Sequence, residues 1–380
     1  MTNKEKQHYV PKFFLRRFSY QGDERTIGVY NPRTNLFVPR APLRSQAYRS
    51  YFYGKDGILE DELSEVEGVT AELLRRITAI EYPIKSGSAD HFSLLVHLML
   101  SDLRTAGAID RLKALSDNML DKLFEGQERR PREVQNLEPT TSEDTLKLAM
   151  NSLKLSVEFC QDLEIRIIRN TTSTPFITCD DPVLRYNQLL EKYPEVYGSI
   201  TGTTHVGLQL LLPLDARTLL LAYDSRYYKV GVTRNVQVIE CTPEDVDNVN
   251  LLSVMSCEQV VFFNEHTYQA YLVKLTQRAA RFPRANQWMV TRLYSSHRHG
   301  KEEHWTEQEP AISSEMLLHS YTTSLKTNLR LSFLHFTKAG SRFKPYGNRE
   351  ASNMRPHCAA ICQRERLNIP RGSVKFTYDD

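Results

Sequence analysis

Hydrophobic periodicity changes abruptly at Leu163, and that change limits the chain to a helical block joined to a sheet. From Ile58 to Ile80, Leu59, Leu63, Val66, Leu73, Leu74 and Ile77 recur at helical spacing. Asp90 offers an N-cap for a second helix carrying Phe92, Leu95, Leu98, Met99 and Leu103, with the pattern running on toward Phe124. A loop rich in Gly, Pro and Ser (126–133 and 139–142) precedes a third helix over about 143–159. Beyond the change, Leu163–Ile168 alternates apolar and polar residues like a half-buried strand. Pro175–Thr178, His205–Leu212, Arg217–Ala222 and Gln259–Phe263 read as further short strands. Thr26–Tyr30 and Leu36–Arg40 flank the turn Asn31–Asn35 and predict a hairpin, with Pro39 restricting its strand to an edge. Thr242-Pro243-Glu244-Asp245 opens a helix with an N-cap, a proline at the first helical position and acids in the first turn; 265–279 forms another.

The expected fold class is therefore α+β, a mostly antiparallel sheet with an N-terminal hairpin and a packed helical block. Residues 1–280 form one unit in this reading, with helices in 56–160 and sheet in 163–263. Residues 281–380 are a basic C-terminal extension without clear period before Ser314–His319 and Leu329–Phe336. A hydrophobic content of 41% suits a soluble globular protein. No run approaches the roughly 18 apolar residues of a membrane span, so no membrane partner is expected. The N-terminus lacks the apolar core of a secretory signal, and six cysteines show no scaffold spacing, which points to a reduced, cytoplasmic protein.

Charge is segregated along the chain. Residues 1–55 carry a balance of +8, residues 321–380 +7, and the middle −12. Basic ends of this kind suit nucleic acid, through Lys12, Arg16, Arg17, Arg44 and Arg49 in the first of them; they equally suit docking on the acidic middle. Tyr48, Tyr51, Phe52 and Tyr53 stand among these arginines. Such aromatics either stack on bases or cap a core with their polar tips outward.

Two segments bear the residues of greatest chemical interest. In Gln7-His8-Tyr9-Val10-Pro11, the proline stiffens the chain that presents His8, and Phe14, Leu15 and Phe18 then share one face of a short helix. In Thr178-Cys179-Asp180-Asp181-Pro182, two carboxylates stand at the end of a strand, as a site edge suited to Mg²⁺ or as a turn whose acids bond the backbone. No phosphate-binding P-loop, nucleophile elbow or dinucleotide fingerprint is present. His297, His299 and His304 with Glu302 and Glu303, and His357-Cys358 with Cys362, are weaker metal-ligand candidates.

The His-Tyr-Val-Pro opening followed by an aromatic, Leu and Phe resembles a bacterial family known as domain of unknown function 4238. The Thr178–Pro182 turn is similar to its T-S-D-x-P motif, with Cys179 where Ser is usual. Glu67 in Leu63-Ser64-Glu65-Val66-Glu67, Arg104 before Thr105, Pro213-Leu214, Asn248 and Asn250 also resemble the family over roughly residues 6–275. An Arg and a Glu on neighbouring helices pair with one another or, in the case of Arg104, clamp a phosphate. The resemblance implies a place in bacterial antiviral islands, as an effector or sensor. The residues leave three functions open. One is a nuclease with His8 as acid or base, Asp180 and Asp181 as metal ligands, and Arg104 with Glu67 completing the site. Another is a non-catalytic sensor or adaptor binding nucleic acid or a phage component. The third is a small-molecule transferase or hydrolase. A shared concave site for His8, Arg104, Asp180 and Asp181 is the sharpest expectation.

Overall fold

The computed structural model describes residues 5–79, 84–124, 142–194, 196, 199–231, 239–282, 288–299, 302–306, 316–323, 326–345, 353–365 and 373–374. The chain opens with β1 (Lys6–His8) and α1 (Lys12–Leu15), then β2 (Thr26–Asn31), β3 (Leu36–Pro42) and β4 (Tyr48–Ser50). The helical block contains α2 (Ile58–Ala79), α3 (Ala89–Leu103), α4 (Ala106–Leu123), α5 (Ser142–Asn151) and α6 (Leu153–Cys160). Strands β5 (Glu164–Arg169), β6 (Thr178–Cys179), β7 (Leu184–Tyr186), β8 (Gln209–Asp215), β9 (Thr218–Tyr223), β10 (Tyr228–Val230) and β11 (Ile239–Glu240) follow. Next come α7 (Pro243–Ser256), β12 (Val261–Phe263), α8 (Gln269–Ala279), β13 (Trp288–His299), β14 (Glu302–Thr306) and β15 (Met316–Thr322). The chain closes with β16 (Leu334–Phe336), α9 (Lys338–Ser341), α10 (Pro356–Arg364) and β17 (Ser373–Val374).

The fold is α+β with mostly antiparallel sheets. Apart from β10, which pairs antiparallel with β16, the strands of 163–263 and the N-terminal hairpin divide into two sheets, ordered β11-β5-β9-β8-β7 and β3-β2-β12-β6, with only β11–β5 parallel within them. β3, which carries Pro39, is an edge strand. Strands β8 and β9 are buried on both faces. Leu210, Leu212, Leu220 and Ala222 join the core of the helical block and the α1 segment. Leu211, Leu219, Leu221 and Tyr223 join a second core with α7 and α8. Burial on both sides explains their unbroken apolar sequence. Leu329, Leu331, Phe333 and Leu334, from the expected C-terminal extension, belong to this second core.

Two helices end earlier than periodicity predicts. The second stops at Arg104, and α4 restarts at a bend of 62° with Thr105 as its N-cap, the hydroxyl accepting from the Ala108 amide at 3.0 Å. The third is interrupted at Ser152, whose hydroxyl donates to the Ala149 carbonyl at 2.7 Å. The N-cap of α3 is Ser88 rather than Asp90. Residues 288–299 and 302–306 pair as an antiparallel hairpin in the stretch where the sequence shows no clear period. The side chains of His297, His299, Glu302, Glu303 and His304, and the predicted loop at 126–133 and 139–141, lie outside the described residues. Among the described residues no single helix is long and apolar enough to cross a membrane.

The capping box at α7 follows the sequence reading. The Thr242 hydroxyl accepts from the Asp245 amide at 3.2 Å, and the Asp245 carboxylate accepts from the Thr242 amide at 2.8 Å. Replacing Thr242 by Ala is expected to cost about 1 kcal/mol in chemical denaturation. An unchanged midpoint would show that the cap adds nothing to α7.

Candidate functional site

Proline at position 11 starts α1 immediately after β1, so the His8 segment is anchored at both ends. β1 pairs with β4, placing His8 opposite Tyr48, and the Tyr9 amide donates to the Ala47 carbonyl at 3.0 Å. Val10, Phe14, Leu15 and Phe18 enter the core, whereas Lys12 and Arg16 stay exposed. The His8 ring is half-buried and packs against Tyr48 at 5.7 Å between centroids. Neither ring nitrogen makes a hydrogen bond among the described residues. Burial lowers its pKa to about 4, helped by the charges of Lys12 and Lys6, and the nearby Gln46 carbonyl offsets only part of this. At neutral pH the imidazole is uncharged, with one nitrogen able to accept a proton.

Around this histidine the basic residues fall into two groups. Lys6 lies over the Tyr48 ring at 5.0 Å. The turn Leu43–Ser45 packs on α1, which brings the exposed Arg44 beside the helix that carries Lys12 and Arg16. No ion pair holds Lys12, Arg16 or Arg44 among the described residues. Arg17 is committed instead to Asp215 at 2.9 Å and to the Leu214 carbonyl at 2.8 Å. Arg49 forks onto both Asp110 oxygens at 2.9 and 2.6 Å. These two contacts dock the basic end onto the rest of the fold.

Arg104 and Glu67 pair at 2.8 Å, with the arginine 1% exposed and the glutamate 27%. Among the described residues, Arg104 Nε and Nη2 have no hydrogen-bond partner in that buried setting. The Arg104 charge, after burial, pushes the pKa of His97 down to about 3. Tyr53 is raised to about 12 by burial, which the neighbouring Arg104 charge partly offsets, and its hydroxyl donates to the His8 carbonyl at 3.0 Å. Arg104, Glu67 and the His8 backbone thus meet around Tyr53.

The two aspartates are held separately. Asp180 accepts the backbone amides of Glu258 and Gln259 at 2.9 Å each and of Val260 at 3.3 Å, fixing the turn that follows α7. Burial nevertheless raises its pKa to about 6 against these bonds, with the Asp181 charge adding to the rise. Asp181 accepts from the Thr105 hydroxyl at 3.1 Å and from Arg111 at 2.6 Å, and Arg111 continues to Glu258 at 2.8 Å. Every oxygen of both carboxylates is engaged by at least one protein donor. Among the described residues no three His, Cys, Asp or Glu side chains converge on a metal position. This includes the Cys358–Cys362 segment, where Cys358 donates to the Phe159 carbonyl and His357 bonds the Glu158 carbonyl.

Tyr9 links the two regions. Burial raises its hydroxyl pKa, and the Asp180 charge adds to the rise. Asp181 also lines a cavity of about 450 Å³. His8, Arg104 and Asp180 are not among its lining residues. Its polar groups include Arg111, Asp102, Arg185 and His205, none of which stands in a recognisable motif. Arg185 donates to Asp102 through Nε at 2.9 Å and through Nη2, and to the Thr201 carbonyl at 3.0 Å. Burial raises the pKa of Asp181, with the Asp102 charge adding to the rise, and the Asp102 charge raises Arg185 against burial, with a smaller addition from Asp181.

A family model described as Protein of unknown function (DUF4238) matches residues 6–267. No curated protein and no solved structure matches the chain.

The raised pKa of Asp180 has a definite consequence for stability. Between its ordinary value of 3.8 and its folded value of about 6, the folded state retains a proton that the unfolded chain has released. Stability from this group therefore falls as pH rises through that window. Denaturation of wild type and Asp180→Asn from pH 4 to 7 is expected to show the wild type losing ground to the variant. A flat or rising difference would contradict the burial of this carboxyl.

Proposed function

We propose that this chain, which belongs to the DUF4238 family of proteins of unknown function over residues 6–267, binds a nucleic-acid backbone through the face around His8. The observation that carries the reading is a set of exposed cations: Lys6 over Tyr48, Lys12 near the uncharged His8, Arg16 at the end of α1 and Arg44 on the turn packed against it. Lysine and arginine side chains there can neutralise phosphates. Glu5 on the same strand edge and Asp110, paired with Arg49, are exposed acids nearby, against the four cations Lys6, Lys12, Arg16 and Arg44. Arg17 and Arg49 contribute by holding it in place rather than by contact.

A sensor or adaptor of bacterial antiviral defence, recognising nucleic acid or a phage component, is the role that the family resemblance lends this surface. A nuclease is the second reading, favoured by one observation: the His8 imidazole is uncharged near pH 7, the protonation state that a general base requires. The engagement of Asp180 and Asp181 by backbone, Thr105 and Arg111 supports the non-catalytic reading over a metal-dependent one.

Fluorescence anisotropy with single-stranded RNA and DNA tests the proposal. Affinity is expected to fall steeply from about 50 to 200 mM salt. Lys12→Glu, Arg16→Glu and Arg44→Glu should each weaken binding and lower the salt slope by about one, without changing the melting temperature. Binding that ignores salt, or survives all three reversals together, would overturn it. Loss of strand cleavage in His8→Ala with binding retained would select the nuclease.

A further inference from the structure

The 450 Å³ cavity beside Asp181 falls within the roughly 300–1,000 Å³ of small-molecule sites, and its chemistry is specific. Two carboxylates and two guanidinium groups, Asp102, Asp181, Arg111 and Arg185, share the cavity wall. Their formal charges cancel, so the wall has no net attraction for a free phosphate. Its directional capacity remains high. A carboxylate has about four acceptor positions and a guanidinium five N–H donors. The contacts of Arg185 with Asp102 and Thr201 use three of those five among the described residues. Leu103, Leu112, Val183 and Met354 supply apolar surface in the same cavity.

A flat, uncharged ligand with donors along one edge and acceptors along another suits that combination. Guanine has this pattern: N1–H and the N2 amine are donors for a carboxylate, while O6 and N7 accept from an arginine fork. The apolar side chains would cover its faces, as in pockets that receive a base removed from a stack. We propose that the cavity binds guanine, as a nucleoside or nucleotide, with Asp102 or Asp181 on its donor edge and Arg111 or Arg185 on its acceptor edge. The cavity residues Ser320, Thr322 and Met354 lie beyond the family-matched segment 6–267, so the C-terminal part of the chain completes the site.

Isothermal titration of the full chain with guanosine, adenosine and cytidine tests this. Guanosine has no phosphate, so its binding does not depend on the basic face around His8, and either proposal can fail without the other. Guanosine is expected to saturate, with adenosine and cytidine weaker by about tenfold or more. One of Asp102→Asn and Asp181→Asn, whichever removes the carboxylate on the donor edge, should erase that preference. Ala108→Leu, which adds bulk at a half-exposed lining position without touching either ion pair, should abolish binding while leaving the melting temperature unchanged. This variant keeps the test decisive if either Asn variant fails to fold. Equal binding of all three nucleosides, no saturation, or wild-type binding by Ala108→Leu would overturn the proposal.

Discussion

The helix break at Arg104-Thr105 is the constraint on which the other contacts depend. Two adjacent residues engage different motif segments: Arg104 pairs with Glu67 beside Tyr53, while the Thr105 hydroxyl bonds Asp181 and caps α4. Had the helix continued, its 100° step per residue would have fixed both side chains on one cylinder. The 62° bend instead lets α4 present Arg111 to Asp181 and Glu258, and Asp110 to Arg49. Asp102, two residues before the break, meets Arg185. The N-terminal segment is stitched in the same manner, with the His8 carbonyl bonded to Tyr53 and the neighbouring Tyr9 close to the Asp180 charge.

This arrangement concentrates buried charge, and its energetics favour specificity over stability. Removing one partner from a buried pair costs about 3–5 kcal/mol, whereas the intact pair contributes little beyond its own desolvation. Asp180 shows the balance: three amides stabilise its ionised form, yet burial still lifts its pKa to about 6. Such groups are poor sources of net stability but strong determinants of register. The turn after α7, the Thr178–Pro182 turn and the start of α4 satisfy these acids only in their observed relation.

The sequence made the helices and the buried strands legible because their signals are local and periodic. The α3–α4 break was not, since apolar spacing continues across Leu103, Ala106 and Ile109; Thr105 before Ala-Gly-Ala is the one retrospective capping signal. Glu67 and Arg104 could be matched as opposite charges on neighbouring helices. The partners of Asp180 could not, because they are backbone amides 78–80 positions away with no side-chain signature. Arg111, Asp102 and Arg185 were missed for the same reason, each being an ordinary charged residue until tertiary contact supplies its partner. Arg17 and Arg49 looked equivalent to Arg16 and Arg44 in composition. Only the fold separates arginines that dock from those left at the surface.

The helix break and the aspartate turn are therefore energetically coupled through Thr105 and Asp181. A double-mutant cycle with Thr105→Val and Asp181→Asn, measured by equilibrium denaturation, reads that coupling directly. The contact at 3.1 Å predicts an interaction energy of about 0.5–3 kcal/mol. Additivity within about 0.3 kcal/mol would contradict it, because the α4 cap and the Thr178–Pro182 turn would then be independent features of the fold.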